Sequence, residues 1–104
     1  MNIAKMLKQA QQMQQKMGEA QDQLSKREVE ATAGGGKVVV RATAAGDILS
    51  IRIDPSVVNA DDTEILEDLV LTGVRQALDE GRKIMAAEMK KISGGLGLPP
   101  SLGF

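Results

Sequence analysis

The side chains that carry most enzyme and metal chemistry are missing from this chain. It contains no Cys and no His, so thiolate nucleophiles, disulfides, imidazole bases and the usual zinc ligand sets are excluded together. Acids remain, but Glu30, Asp47 and Asp54 read as strand-edge and turn residues. No nucleophile–base set, carboxylate pair or metal cluster stands out among them. Neither an enzyme, a small-molecule substrate, a cofactor nor a metal site is therefore expected. The triplet Gly34-Gly35-Gly36 lacks the Lys-Ser/Thr pair and the following helix of a phosphate-cradling loop, and a hairpin turn is the simpler reading.

What is left is cationic chemistry. Residues 1–27 carry Lys5, Lys8, Lys16, Lys26 and Arg27 against Glu19 and Asp22, a net +3. Residues 82–104 carry Arg82, Lys83, Lys90 and Lys91 against Glu88, again +3. The stretch between them holds four bases and eleven acids, net −7, which hides the asymmetry inside a total of −1. Two basic ends around an acidic middle point to a polyanionic partner.

Those cations need elements to position them. Over 2–26, Ile3, Met6, Ala10, Met13, Met17, Ala20 and Leu24 recur at spacings of three and four, the repeat of a helical packing seam. The pattern then switches to period two: Val29, Ala31 and Ala33 alternate with Glu28, Glu30 and Thr32, as in a half-exposed strand. Beyond the glycines, 37–44 and 48–54 read as two more strands. In the last, Leu49, Ile51 and Ile53 face one side, Ser50 and Arg52 the other, and Pro55 is the stop. A second helix is expected over 62–93, opened by a capping box of Asp61 and Glu64 and stopped by Gly94-Gly95. The Gly/Pro-rich close at 96–104 reads as a flexible tail of a single domain spanning 1–104.

The fold class is thus α+β, with order α-β-β-β-α and a three-stranded antiparallel sheet. A compact chain of this size is roughly 34 Å across, whereas a helix of thirty residues is roughly 45 Å long. Both helices must overrun the sheet with their apolar stripes. The economical solution is a two-fold homodimer with helical arms. In each arm Ile3, Met6, Ala10, Met13, Met17 and Leu24 pack with Ile84, Met85, Met89 and Ile92. The longest apolar run, 84–87, is far short of a membrane span. Residues 2–26 have no Trp or Phe to anchor them on a membrane surface. No secretory signal is visible, and a cytoplasmic location is expected.

Four separated blocks in order resemble the YbaB/EbfC family of nucleoid-associated proteins. They are MLKQAQQMQQKM at 6–17, TAGGGKVVVRATAAGDILSIRIDPSVV at 32–58, LEDLV at 66–70 and ISGGLGLP at 92–99. The resemblance implies an intertwined, tweezer-like homodimer whose arms project from a central sheet. It also implies binding of double-stranded DNA in the nucleoid, with effects on DNA conformation, nucleoid organisation and gene regulation. The chain departs from the family pattern at Val74-Arg75-Gln76-Ala77 and in its short tail beyond Pro99, which leaves any DNA sequence preference open.

Phosphate contacts call for Lys and Arg. Lys5, Lys8 and Lys16 on helix 1, with Lys26 and Arg27 at its end, and Arg82, Lys83, Lys90 and Lys91 on helix 2 are the expected DNA-binding residues. With Phe104 the only aromatic residue, base stacking on single strands or RNA is not expected. Gln9, Gln11, Gln12 and Gln15 have amides that suit base edges, but a solvated glutamine face is the simpler account. The competing expectation is a protein-interaction module using the Met-rich arms.

Overall fold

The structure, a computed structural model, describes residues 2–95; the expected tail at 96–104 lies outside the described residues. Helix α1 runs Ile3–Lys26. Asn2 caps it, its side-chain oxygen accepting the Lys5 N–H at 3.1 Å, which satisfies one of the unpaired donors of a helix start. Three antiparallel strands follow, β1 (Glu28–Ala33), β2 (Val38–Thr43) and β3 (Ile48–Ile53), in the order β1-β2-β3. Between β1 and β2 the chain passes through Gly34, Gly35 and Gly36 at φ 62°, 68° and 91°. Three successive left-handed residues are a conformation that glycine alone takes without strain, so the triplet is spent on the hairpin.

A 3-10 turn at Pro55–Val57 leads to α2, Thr63–Gly95. At 33 residues, α2 is about 50 Å long. The longest dimension is 69 Å and the radius of gyration 19.2 Å, against about 13 Å for a compact chain of 100 residues. Two details differ from the sequence reading. Asp61 belongs to a turn before α2, its N–H donating to Asn59 Oδ1 at 2.9 Å, and no capping hydrogen bond links it to Glu64 among the described residues. The helix also continues through Gly94-Gly95, since each Gly costs a helix only about 1 kcal/mol.

The core lies between the sheet and α2. Ala31 and Ala33 of β1 and Val38, Val40 and Ala42 of β2 close on Ala77 of α2, with Val29, Leu69, Val70 and Val74 packed around them. Small residues let the helix approach closely. A Cβ on Gly73 would stand 2.9 Å from Val40 Cγ2, and one on Gly81 would stand 3.0 Å from the Thr43 carbonyl oxygen.

Helix α2 rests on β1 and β2 and leaves β3 largely uncovered. Ile53, Ile51 and Ile48 pair across the sheet with Val38, Val40 and Ala42, so they share the core face. Their exposures are nonetheless 39%, 42% and 40%, while all three partners are at 0%. Leu49 does not continue the alternation expected of it. The register shifts between Arg41 and Ala42, which places Ile48 opposite Ala42 and leaves Leu49 as an extra residue on β3.

Candidate nucleic-acid interface

The seam of α1 meets the second half of α2 in the arm. Leu24 is buried in that contact, and Met13, Ile84, Met85, Met89 and Ile92 are half-buried. Ile3, Met6, Ala10 and Met17 are exposed, so the first turns of α1 carry an apolar stripe uncovered among the described residues.

Along one side of the arm the two helices leave an open groove. Lys16, Glu19 and Gln23 of α1 face Glu88, Lys91 and Ile92 of α2 in its outer part. Arg27 faces Glu80, Lys83 and Lys91 in its inner part. The fold thereby gathers Lys16, Arg27, Lys83 and Lys91, four of the nine cations picked from sequence, into one channel. Lys5 precedes Lys16 by eleven residues, three helical turns, and so extends the same α1 face towards the tip.

Lys26 and Arg82 are absent from the groove lining. Lys26 Nζ lies 3.2 Å from Asp22 Oδ2, and Arg82 Nη1 lies 2.7 Å from Asp79 Oδ1. Within the groove Lys83 pairs with Glu80 at 3.2 Å and Lys91 with Glu88 at 3.6 Å. Each acid stands three or four residues earlier on the same helix, a spacing already visible in the sequence. Counting charge by segment overlooked this local pairing. Exposed pairs of this kind are weak and screened by salt, so a phosphate can replace the carboxylate. Lys8 on α1 is exposed, and Lys90, beside Lys91, is engaged within the chain. Arg52 on β3 and Arg75 on α2 are two further exposed cations that the sequence reading passed over, because each stands alone.

Glu19, Glu80 and Glu88 also line the groove, but the densest run of acids lies elsewhere. Asp61, Asp62, Glu64, Glu67 and Asp68 crowd the start of α2, at the opposite end of that helix from Lys91. Asp54 is held below the ordinary carboxylate range, first by the Ser56 N–H donating to Oδ1 at 2.8 Å and further by Lys37 Nζ at 3.6 Å from Oδ2. These acids serve turns and a helix start and form no paired site with one another.

Comparison with known proteins places this architecture. The chain is 45% identical over 104 residues to a nucleoid-associated protein of Akkermansia muciniphila, covering all of both chains. It is 51% identical over 98 residues to one of Thermoanaerobacter pseudethanolicus, covering 94% of this chain and 88% of the relative. The crystal structure of an uncharacterized Helicobacter pylori protein superposes with a TM-score of 0.73 at 20% identity, over 86% of this chain and 97% of the other; that likeness speaks for the fold. The family model of the YbaB/EbfC DNA-binding family matches residues 1–96, and the chain belongs to that family.

Proposed function

We propose that the chain works as a homodimer that holds duplex DNA mainly through phosphate contacts along its arms. In this reading it is a nucleoid-associated protein, as its relatives are named, which alters DNA conformation and contributes to nucleoid organisation and gene regulation in the cytoplasm. The observation that carries the reading is the arm groove, where Lys16, Arg27, Lys83 and Lys91 converge from two helices. Four cations in one channel suit a polyanion and need no base-reading motif, and the surface pairs of Lys83 with Glu80 and Lys91 with Glu88 are weak enough for phosphate to displace the carboxylates. Lys5 extends that set, while Lys8, Lys26, Arg82 and Lys90 add to the field around it. The homodimer is supported by β3, whose isoleucines lie uncovered on the core's own face. Apolar surface of that kind on a small soluble protein marks an interface, and a second copy closing on it completes the core.

Titration of random-sequence duplex against the protein between about 50 and 200 mM salt tests this. If both arms bring Lys5, Lys16, Arg27, Lys83 and Lys91 to phosphates, log K falls against log salt with a slope of about −9. One engaged arm halves that slope. Affinity indifferent to salt, or no binding at low salt, rules the reading out. A second reading, an interaction module, draws on Ile3, Met6 and Leu7, exposed at 68%, 54% and 61%; it predicts that a partner protein and not DNA protects these residues.

A further inference from the structure

We propose that the α1 face carrying Lys5, Gln9, Gln12 and Lys16 reads base edges in the major groove and gives the protein a preference for sites containing adenine. The inference rests on the duplex-binding reading above. These four residues follow one another at intervals of four, three and four, which puts them on one face of the helix. The two lysines are about 16 Å apart along the axis, somewhat more than the roughly 12 Å width of the groove. With α1 set obliquely in the groove, one ammonium meets the phosphates of each strand and the two amides lie over the floor between them.

Three features of this face favour readout over simple solvation. Residues 3–12 are exposed throughout, so the groove can admit the helix itself, roughly 10–12 Å in diameter, from Lys5 to Gln12, with Lys16 at the edge where α2 comes alongside. No acid occurs on α1 before Glu19, so nothing on that stretch repels the backbone. Gln9 and Gln12 are exposed and their side chains hold no hydrogen bond among the described residues, whereas Gln15 Nε2 donates to Glu19 Oε1 at 3.5 Å. A glutamine amide presents a donor and an acceptor side by side, matching N7 and N6 of adenine.

The test selects bound sequences from a random duplex pool, with the wild-type protein and with Gln9→Ala/Gln12→Ala. Affinities for the selected duplex and a scrambled one are then compared at fixed salt. The wild type is expected to enrich sites containing A·T pairs and to prefer them about tenfold or more. In the variant that preference falls towards unity, while affinity for scrambled duplex, its salt slope and the helical circular dichroism stay as in the wild type. A preference unchanged in the variant overturns the inference, as does a wild type that binds duplex well yet enriches nothing. Absence of all duplex binding by the wild type instead removes the proposed function, and the inference with it.

Discussion

The same substitution, Gly→Ala, should have opposite signs at two places in this chain. At Gly18, in the exposed part of α1, an added Cβ meets nothing within 4 Å. Alanine there gains about 1 kcal/mol of helix propensity and loses nothing. At Gly73 the propensity gain is the same, but the new methyl stands 2.9 Å from Val40 Cγ2. Val40 is wholly buried in the central strand and is stiff at χ1, so it cannot swing aside. Overpacking of a tight core costs typically about 1–3 kcal/mol, which turns the gain into a net loss of about 1 kcal/mol. Denaturant midpoints at one fixed protomer concentration read both effects, since an associating protein's stability depends on concentration. Val40→Ala removes the obstacle, so Gly73→Ala should be better tolerated in that background, with a coupling of about 1–2 kcal/mol. If Gly73→Ala stabilises as Gly18→Ala does, the glycine is not what sets the distance between α2 and the sheet.

Three further outcomes follow from the same geometry. Ile51→Asp places a charge on the uncovered face of β3, and sedimentation should show monomers where the wild type and Ile51→Val give dimers. Lys16→Ala/Lys91→Ala removes four cations from a dimer and should flatten the salt slope by about 3–4 without changing the oligomeric state. Asp54 has a folded pKa below its ordinary value of 3.8. Its charge therefore stabilises the fold above that value, and the contribution is lost as pH falls through the folded pKa. The gap in thermal midpoint between wild type and Asp54→Asn should be open at pH 6 and narrow as pH falls below 3.8; a gap constant with pH contradicts the assignment.

Much of the fold was legible because each element announces its period. The three- and four-residue spacing from Ile3 to Leu24 and the alternation from Glu28 to Ala33 match α1 and β1 to within a residue. The glycine triplet fixed the hairpin, as only glycine strings together three left-handed residues. What was not legible depends on where the elements come to rest. Alternation along β3 marks an apolar face but not whether a helix covers it, and α2 stops short of covering Ile51 and Ile53. A bulge shifts the pattern at Leu49 with no local residue to announce it. Charge along the chain likewise located the basic ends, but the groove that joins Lys16 and Arg27 to Lys83 and Lys91 exists only once α1 lies along α2.

The charge order within the two helices separates what stability asks for from what it does not. In α2 Glu64, Glu67 and Asp68 stand near the start, while Arg82, Lys83, Lys90 and Lys91 stand in the last half beside Asp79, Glu80 and Glu88, an order that leans towards the helix dipole. The dipole favours these cations only weakly, because none of them lies in the last turn of α2. In α1 the order is reversed: the first turn has no acid and carries Lys5, near the positive end of the dipole. A cation there costs about 0.3–1 kcal/mol, so its presence points to something outside the helix. Lys5→Glu separates the two demands, because it corrects the dipole and completes a capping box with Asn2 three residues earlier. The variant should melt higher than the wild type yet bind duplex DNA more weakly, with a salt slope smaller by about 2 in the dimer. If it melts higher and binds as before, Lys5 lies outside the interface and the duplex is held further down the arm, at Lys16, Arg27, Lys83 and Lys91.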